Sequence, residues 1–222
     1  PDVFRSLPVK VSPFRRERID KLCHYSARKS LTGTTQFQDC CAAAGVPLDT
    51  ELRLDWMPTS DAGERLKSDL PLVCVQLPRA PMGRTDGFGK ELLPDCRRIQ
   101  ECIDALQGKA RIVQIGSGKA LHKFIGIDVD LTNRTTVREL IDIAQAADAF
   151  IGYVSFIVPL AESFDKPALL VWSRRGLNCG TPYVRQITPA KALHKPSCSY
   201  VIDDDAAENV QRAALDLLRV GG

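Results

Sequence analysis

Two short stretches carry the residue types that handle phosphate, and a third carries those that could hold a cation. Gly87, Phe88, Gly89 and Lys90 stand in a loop that also holds Arg79, Arg84 and Asp86. Glycines let a backbone approach a ligand closely, and a lysine beside them is a compact point charge for a phosphate oxygen. Asp86 is a base or a simple turn residue, with the turn favoured. Gly116, Ser117, Gly118 and Lys119 form a second such stretch, although a strand-to-helix turn needs glycine for geometry alone. The triplet Asp203, Asp204 and Asp205 looks like a cation site, but it precedes a helical pattern, so N-capping is the stronger expectation.

Other chemistries find little support. His24, His122 and His194 are the only histidines, and none pairs with a cysteine at zinc-finger spacing. His194 has no evident partner, and no Ser–His–Asp or Cys–His arrangement follows from spacing. The eight cysteines, Cys23, Cys40, Cys41, Cys74, Cys96, Cys102, Cys179 and Cys198, form no C-x-x-C pair and read as reduced cytosolic thiols, which implies a cytoplasmic protein. Over 222 residues the formal net charge is only +3, which implies no polyanionic partner. Within residues 1–30, however, eight basic residues face three acidic ones. That local excess reads as a solvated surface, or as a site for an anionic acceptor or a nucleic-acid backbone. No run approaches the ~20 apolar residues that span a bilayer, so a transmembrane segment is not expected and only peripheral membrane contact stays open.

The surrounding pattern says what must position these loops. Residues 34–45 predict a short helix capped by Thr34 or Thr35 and ended by Gly45. Leu52, Leu54 and Trp56 alternate with charged residues, as in a half-exposed strand. Residues 57–70 contain Pro and Gly and read as a linker, which divides the chain into a segment of 1–68 and a domain of 69–222. From 71 onward the pattern changes. The runs 71–77, 110–116, 149–153, 167–172 and 199–202 predict buried strands, with a short candidate within 126–131. Between them, 96–107, 135–147, 158–164 and 206–220 predict helices. Such alternation predicts an α/β fold, a Rossmann-like doubly wound parallel sheet. The loops at 78–90, 116–119 and 152–156 then share its carboxyl edge and face one cleft.

The order of these elements, with three motifs, resembles the C-terminal, nucleotide-sugar-binding domain of family 9 glycosyltransferases, the heptosyltransferase-like group of the GT-B fold. The resemblance covers roughly 70–220. GFGKELLP (87–94) resembles the family's Gly/Ala-Lys-x-Trp-Pro segment, DLTNRTTVRELIDIAQAADAFIG (130–152) its Leu-x-Gly-Lys-Thr-Ser-Leu-x-Glu-Leu stretch, and GYVSFIVPLAESFDKPALLVW (152–172) its Gly-x-Asp-Ser-Gly-x-x-His-x-Ala motif. In the last, Ser155 and Ala161 fit, while the motif's Asp, Gly and His stand as Val154, Phe156 and Pro159.

The resemblance implies a nucleotide sugar as donor substrate, held without metal or cofactor, with inverting transfer to a saccharide. It places Gly89 and Lys90 on the donor phosphates, Gly116, Ser117 and Gly118 at the nucleobase or ribose, and Gly152 and Ser155 in the donor loop. Glu162 reaches a ribose hydroxyl or faces solvent, with solvent favoured. The catalytic base is not assigned. A complete GT-B enzyme has an N-terminal acceptor domain of comparable size. Residues 1–68 are therefore a remnant of one, or the chain is a piece of a longer protein, or a partner lobe supplies the acceptor site. The rivals are a non-catalytic, degenerate module of the same fold and a glycosyltransferase acting on hydroxylated DNA bases. A nucleotide-binding epimerase-like enzyme fits the fold but not the motif order.

Overall fold

The computed structural model describes residues 33–78, 93–178 and 188–220. Six strands form one sheet: β1 (Leu72–Gln76), β2 (Arg111–Ile115), β3 (Val129–Asp130), β4 (Ala149–Gly152), β5 (Ala168–Trp172) and β6 (Cys198–Ile202). Their order is β3-β2-β1-β4-β5-β6, and every pair is parallel. This is the expected doubly wound architecture. The winding reverses between β1 and β4, the crevice where such sheets take ligands.

Among the described residues seven α-helices surround the sheet: α1 (Gln36–Ala44), α2 (Cys96–Leu106), α3 (Val137–Ala146), α4 (Ile157–Ser163), α5 (Arg174–Leu177), α6 (Pro189–Ala192) and α7 (Ala207–Val220). The apolar strand runs are continuous because both faces are covered. Val73, Val75 and Leu77 pack on one side with Ile99, Ile103 and Val210 of α2 and α7. Leu72 and Cys74 point to the other side, among Ile143, Phe150 and Ile157. Helix starts follow local chemistry. Thr35 and Gln38 form a reciprocal capping box at α1, as do Thr136 and Glu139 at α3. Among the described residues no helix is long and apolar enough to cross a membrane.

Two expectations upstream of the sheet need correction. Residues 51–58 alternate in burial but join no ladder; the bond from the Leu54 N–H to the Ser163 carbonyl (3.1 Å) stands alone. Much of 57–70, read as a linker, instead docks on α3 together with Trp56. Ala62 and Leu66 are buried in the core, and Asp142, inside α3, accepts hydrogen bonds from Trp56, Thr59 and Ser60. Their polarity reads as solvent exposure because the buried carboxylate that satisfies them is some eighty positions away in sequence.

Helix α1 is tied to the far end of the chain. Lys191 Nζ meets Asp39 Oδ2 at 2.6 Å. His194 Nδ1 lies 3.0 Å from Thr35 Oγ1, and its ring packs on Phe37. His194 thus has a partner that its sequence neighbourhood did not reveal.

Candidate functional site

All six described strands end on one edge, and the candidate loops at 116–119 and 152–156 leave from it. Gln76 closes β1, between the ends of β2 and β4. Gly152 closes β4 directly beside it. A Cβ on Gly152 would lie 3.1 Å from both Cβ and Oε1 of Gln76 and 3.2 Å from Ile157 Cγ2, so the close approach of the two strand ends depends on glycine. Ser155, three residues on, donates its hydroxyl to Gln76 Oε1 at 2.5 Å. The structure thus brings Gly152 and Ser155 together around a buried amide, 4% exposed, which nothing in the sequence had marked. A polar residue ending an otherwise apolar strand is the one signal that could have pointed to it.

The loop after β2 sits on the other side of β1. Gly116 holds φ +151°, and a Cβ there would stand 3.1 Å from Leu77 Cβ. Asn133 fastens the turn. Its N–H donates to the Gly116 carbonyl (2.9 Å), its Oδ1 accepts from the Gly118 N–H (2.6 Å) and its Nδ2 donates to the Gly118 carbonyl (3.2 Å). Ser117 and Lys119 are exposed above it. Beside this turn lies a cleft of about 320 Å³, lined by Leu77, Gln114, His122, Phe124, Asp130 and Thr132 among others. Gln114 Nε2 donates to Asp130 Oδ1 (3.0 Å) and to Thr132 Oγ1 (2.8 Å). Burial alone would raise the Asp130 carboxyl, but hydrogen bonds from Thr132 and Gln114, with the Arg134 charge, outweigh it and hold the group below its ordinary value. Asp130 is therefore an ionised acceptor at neutral pH, at the rim of a cleft that the ring pair of His122 and Phe124 (5.1 Å) helps to wall.

Gly89 and Lys90, with Arg79, Arg84 and Asp86, lie outside the described residues. The described chain ends before them at Pro78 and resumes at residue 93, just ahead of Asp95, the N-cap of α2.

Two sequence expectations at this edge are corrected. Glu162 faces neither a ribose nor solvent. It is 2% exposed, and its Oε1 accepts the N–H groups of His194 (2.6 Å) and Lys195 (3.0 Å). Helix α4 runs away from the carboxyl edge, so a residue late in it meets the loop entering β6. The aspartate triplet does not cap α7, which begins at Ala207. Asp203 accepts from the N–H of Asp95 (3.1 Å) and of Arg174 (2.8 Å), Asp204 pairs with Arg174 (2.7 Å), and Asp205 accepts from the Ile202 N–H (2.7 Å). The triplet staples the starts of α2 and α5 to the end of β6. Among the described residues no group of His, Cys, Asp and Glu is placed to hold a metal.

After β4, Phe156 is 43% exposed and Pro159 lies within the first turn of the seven-residue α4. A cavity of about 970 Å³ opens at the opposite edge, where residues 53–57 cross the ends of α3 and α4. It is a wide trough between elements, remote from the strand ends that hold the glycine turns.

No family model matches the chain, and no curated protein matches it by sequence. Solved structures do match in fold. The ADP-heptose lipopolysaccharide heptosyltransferase II of E. coli is similar at a TM-score of 0.58 and 14% identity, over 84% of this chain and 62% of that one. A family 9 glycosyl transferase from Veillonella parvula DSM 2008 gives 0.61 and 10%, over 86% and 62%. The dodecameric iron-containing heptosyltransferase TibC, solved with ADP-D-β-D-heptose, gives 0.54 and 15%, over 85% and 55%. At such identities the likeness is one of fold, the Rossmann-like α/β architecture of GT-B glycosyltransferases. This chain spans less than two thirds of each of these proteins.

Proposed function

We propose that the carboxyl edge of the sheet binds a nucleotide-activated sugar and that the chain is the donor-binding part of a heptosyltransferase-like glycosyltransferase. The observation that carries this is the convergence of Gly152 and Ser155 on the end of β1, at the point where the winding reverses, in a fold similar to that of enzymes whose donor is ADP-heptose. In this reading Lys90 and Gly89 meet the diphosphate, Ser155 stands beside it, and the turn of Gly116, Ser117 and Gly118 lies against the nucleoside. Transfer is inverting and needs no metal. A base deprotonates the acceptor hydroxyl, which attacks the anomeric carbon as the diphosphate leaves, its charge stabilised by the lysine. The acceptor is a saccharide, and its site belongs to a further lobe or chain, in keeping with the share of those enzymes that this chain spans. The basic segment 1–30 keeps a hydroxylated DNA base as the alternative acceptor; its binding would fall steeply with salt.

Calorimetric titration with nucleoside diphosphates and nucleotide sugars tests this. Wild type binds at least one, and Lys90→Ala loses a charge-assisted phosphate contact of about 1.5–3 kcal/mol, or about one to two decades of affinity. Ser155→Ala loses less, about 0.5–1.5 kcal/mol. Equal affinity in wild type and Lys90→Ala refutes the lysine role. A second reading, a non-catalytic module of the same fold, is favoured by Phe156, whose exposed ring stands where the related motif has glycine. Absence of binding to every nucleotide would establish that reading in place of the first.

A further inference from the structure

Gln76 is the last residue of β1, and its side chain has one partner among the described residues, the Ser155 hydroxyl on its Oε1. With Oε1 committed to Ser155, the amide is held in one orientation and its Nε2 is turned the other way. Among the described residues Nε2 has no hydrogen-bond partner. The side chain as a whole is only 4% exposed, and Nε2 keeps contact with solvent, so this donor stands open to a ligand at the strand end. Gly152 keeps the space around it open, since a Cβ there would press on the amide itself. The position is the strand end at the reversal of winding, where sheets of this class hold the phosphates of a nucleotide.

We propose that Gln76 is a ligand-contacting residue, its Nε2 donating to a phosphate oxygen of the bound nucleoside diphosphate, and that Ser155 is the positioning residue that orients it. This rests on the donor-site reading above and adds to it a contact that comes from the strand rather than from a loop. Ser155 then acts on the ligand through Gln76, and Gly152 is needed by the amide.

The test is calorimetric titration of the 222-residue chain with the diphosphates of adenosine, guanosine, uridine and cytidine, using wild type, Gln76→Met, Gln76→Glu and Ser155→Ala. Melting temperatures of the ligand-free proteins check folding. Gln76→Met keeps the volume and removes the donor, and is expected to bind about tenfold or more weakly. Gln76→Glu keeps the acceptor for Ser155 but turns a carboxylate oxygen toward the phosphates, and is expected to bind more weakly still. Ser155→Ala frees the amide and is expected to lose several-fold without the lower melting temperature that a purely structural bond would show. Gln76→Met and Gln76→Glu both within twofold of a wild type that binds would overturn the proposal and leave the donor site standing. No binding by wild type would overturn both. Should the Gln76 variants fail to fold, Ser155→Ala decides: unchanged affinity overturns the proposal.

Discussion

The indole N–H of Trp56 donates to Asp142 Oδ1 at 2.6 Å and joins the N-terminal part of the described chain to the helix layer of the sheet. The same carboxylate accepts from the Thr59 N–H (3.0 Å), the Thr59 hydroxyl (3.1 Å) and the Ser60 hydroxyl (2.7 Å). Asp142 is 3% exposed, so its charge is stabilised by these donors rather than by water.

Replacing Asp142 by alanine leaves several buried donors unmet at once. The expected loss is on the order of 3 kcal/mol, since one hydrogen bond to a charged group is worth about 1.5–3 kcal/mol. Trp56→Phe keeps most of the apolar area and loses one bond, so it should cost less. Urea denaturation of the three proteins measures both. A loss under ~0.5 kcal/mol for Asp142→Ala would show that residues 56–66 do not contribute to the cooperative unit.

Docking of this segment should weaken in acid. Burial alone would raise the Asp142 carboxyl, but the bonds from Ser60, Trp56 and Thr59 outweigh it and hold the group below its ordinary value. A group depressed in the folded state adds stability that is complete above the unfolded value of about 3.9 and is lost as pH falls through the folded value. Trp56 emission in a Trp172→Phe background should therefore hold steady down to about pH 4 and change only below it. A transition near neutral pH would point to a different group.

Gly63 lies against α3 so closely that a Cβ would fall 2.6 Å from the Asp142 carbonyl oxygen and 2.7 Å from Ala146 Cβ. Gly63→Ala should destabilise by about 1–3 kcal/mol through forced displacement of the segment. Thermal melting against wild type is the check, and an unchanged midpoint would mean that the segment shifts at no cost.

Asp203 reaches the first residues of two helices, through the N–H groups of Asp95 and Arg174. Asp203→Ala should cost about 1.5–3 kcal/mol, and hydrogen exchange should rise at the starts of both α2 and α5. Faster exchange confined to the start of α7 would instead restore the capping role expected from sequence.

Burial pushes the thiols of Cys74 and Cys102 up to about 12. Both should resist a thiol reagent at pH 8 in the native protein, because the thiolate is the reactive form. On unfolding without reductant, all eight cysteines of the chain should titrate. Fewer than eight would reveal a disulfide.

The strands at 72–76, 111–115 and 168–172 could be read from sequence because a doubly covered strand must be apolar throughout, and Thr35 and Gly45 marked helix ends by local chemistry alone. These are short-range effects, so they survive without knowledge of the fold. The turn at 116–119 was visible for the same reason, its glycine being demanded by backbone geometry. What tertiary structure alone decided are the bonds between distant residues. Leu54 and Trp56 alternate like a strand, yet they are held by Ser163 and Asp142. Glu162 looked like a candidate ligand until its carboxylate met the backbone entering β6. Gln76 is one polar residue at the end of an apolar run, 79 positions from Ser155. Only the parallel pairing of β1 with β4, with Val75 opposite Ile151, sets that amide beside Gly152 and under the Ser155 hydroxyl. No local propensity encodes such a pairing, because its register is chosen by the packing of the whole sheet between its two helix layers.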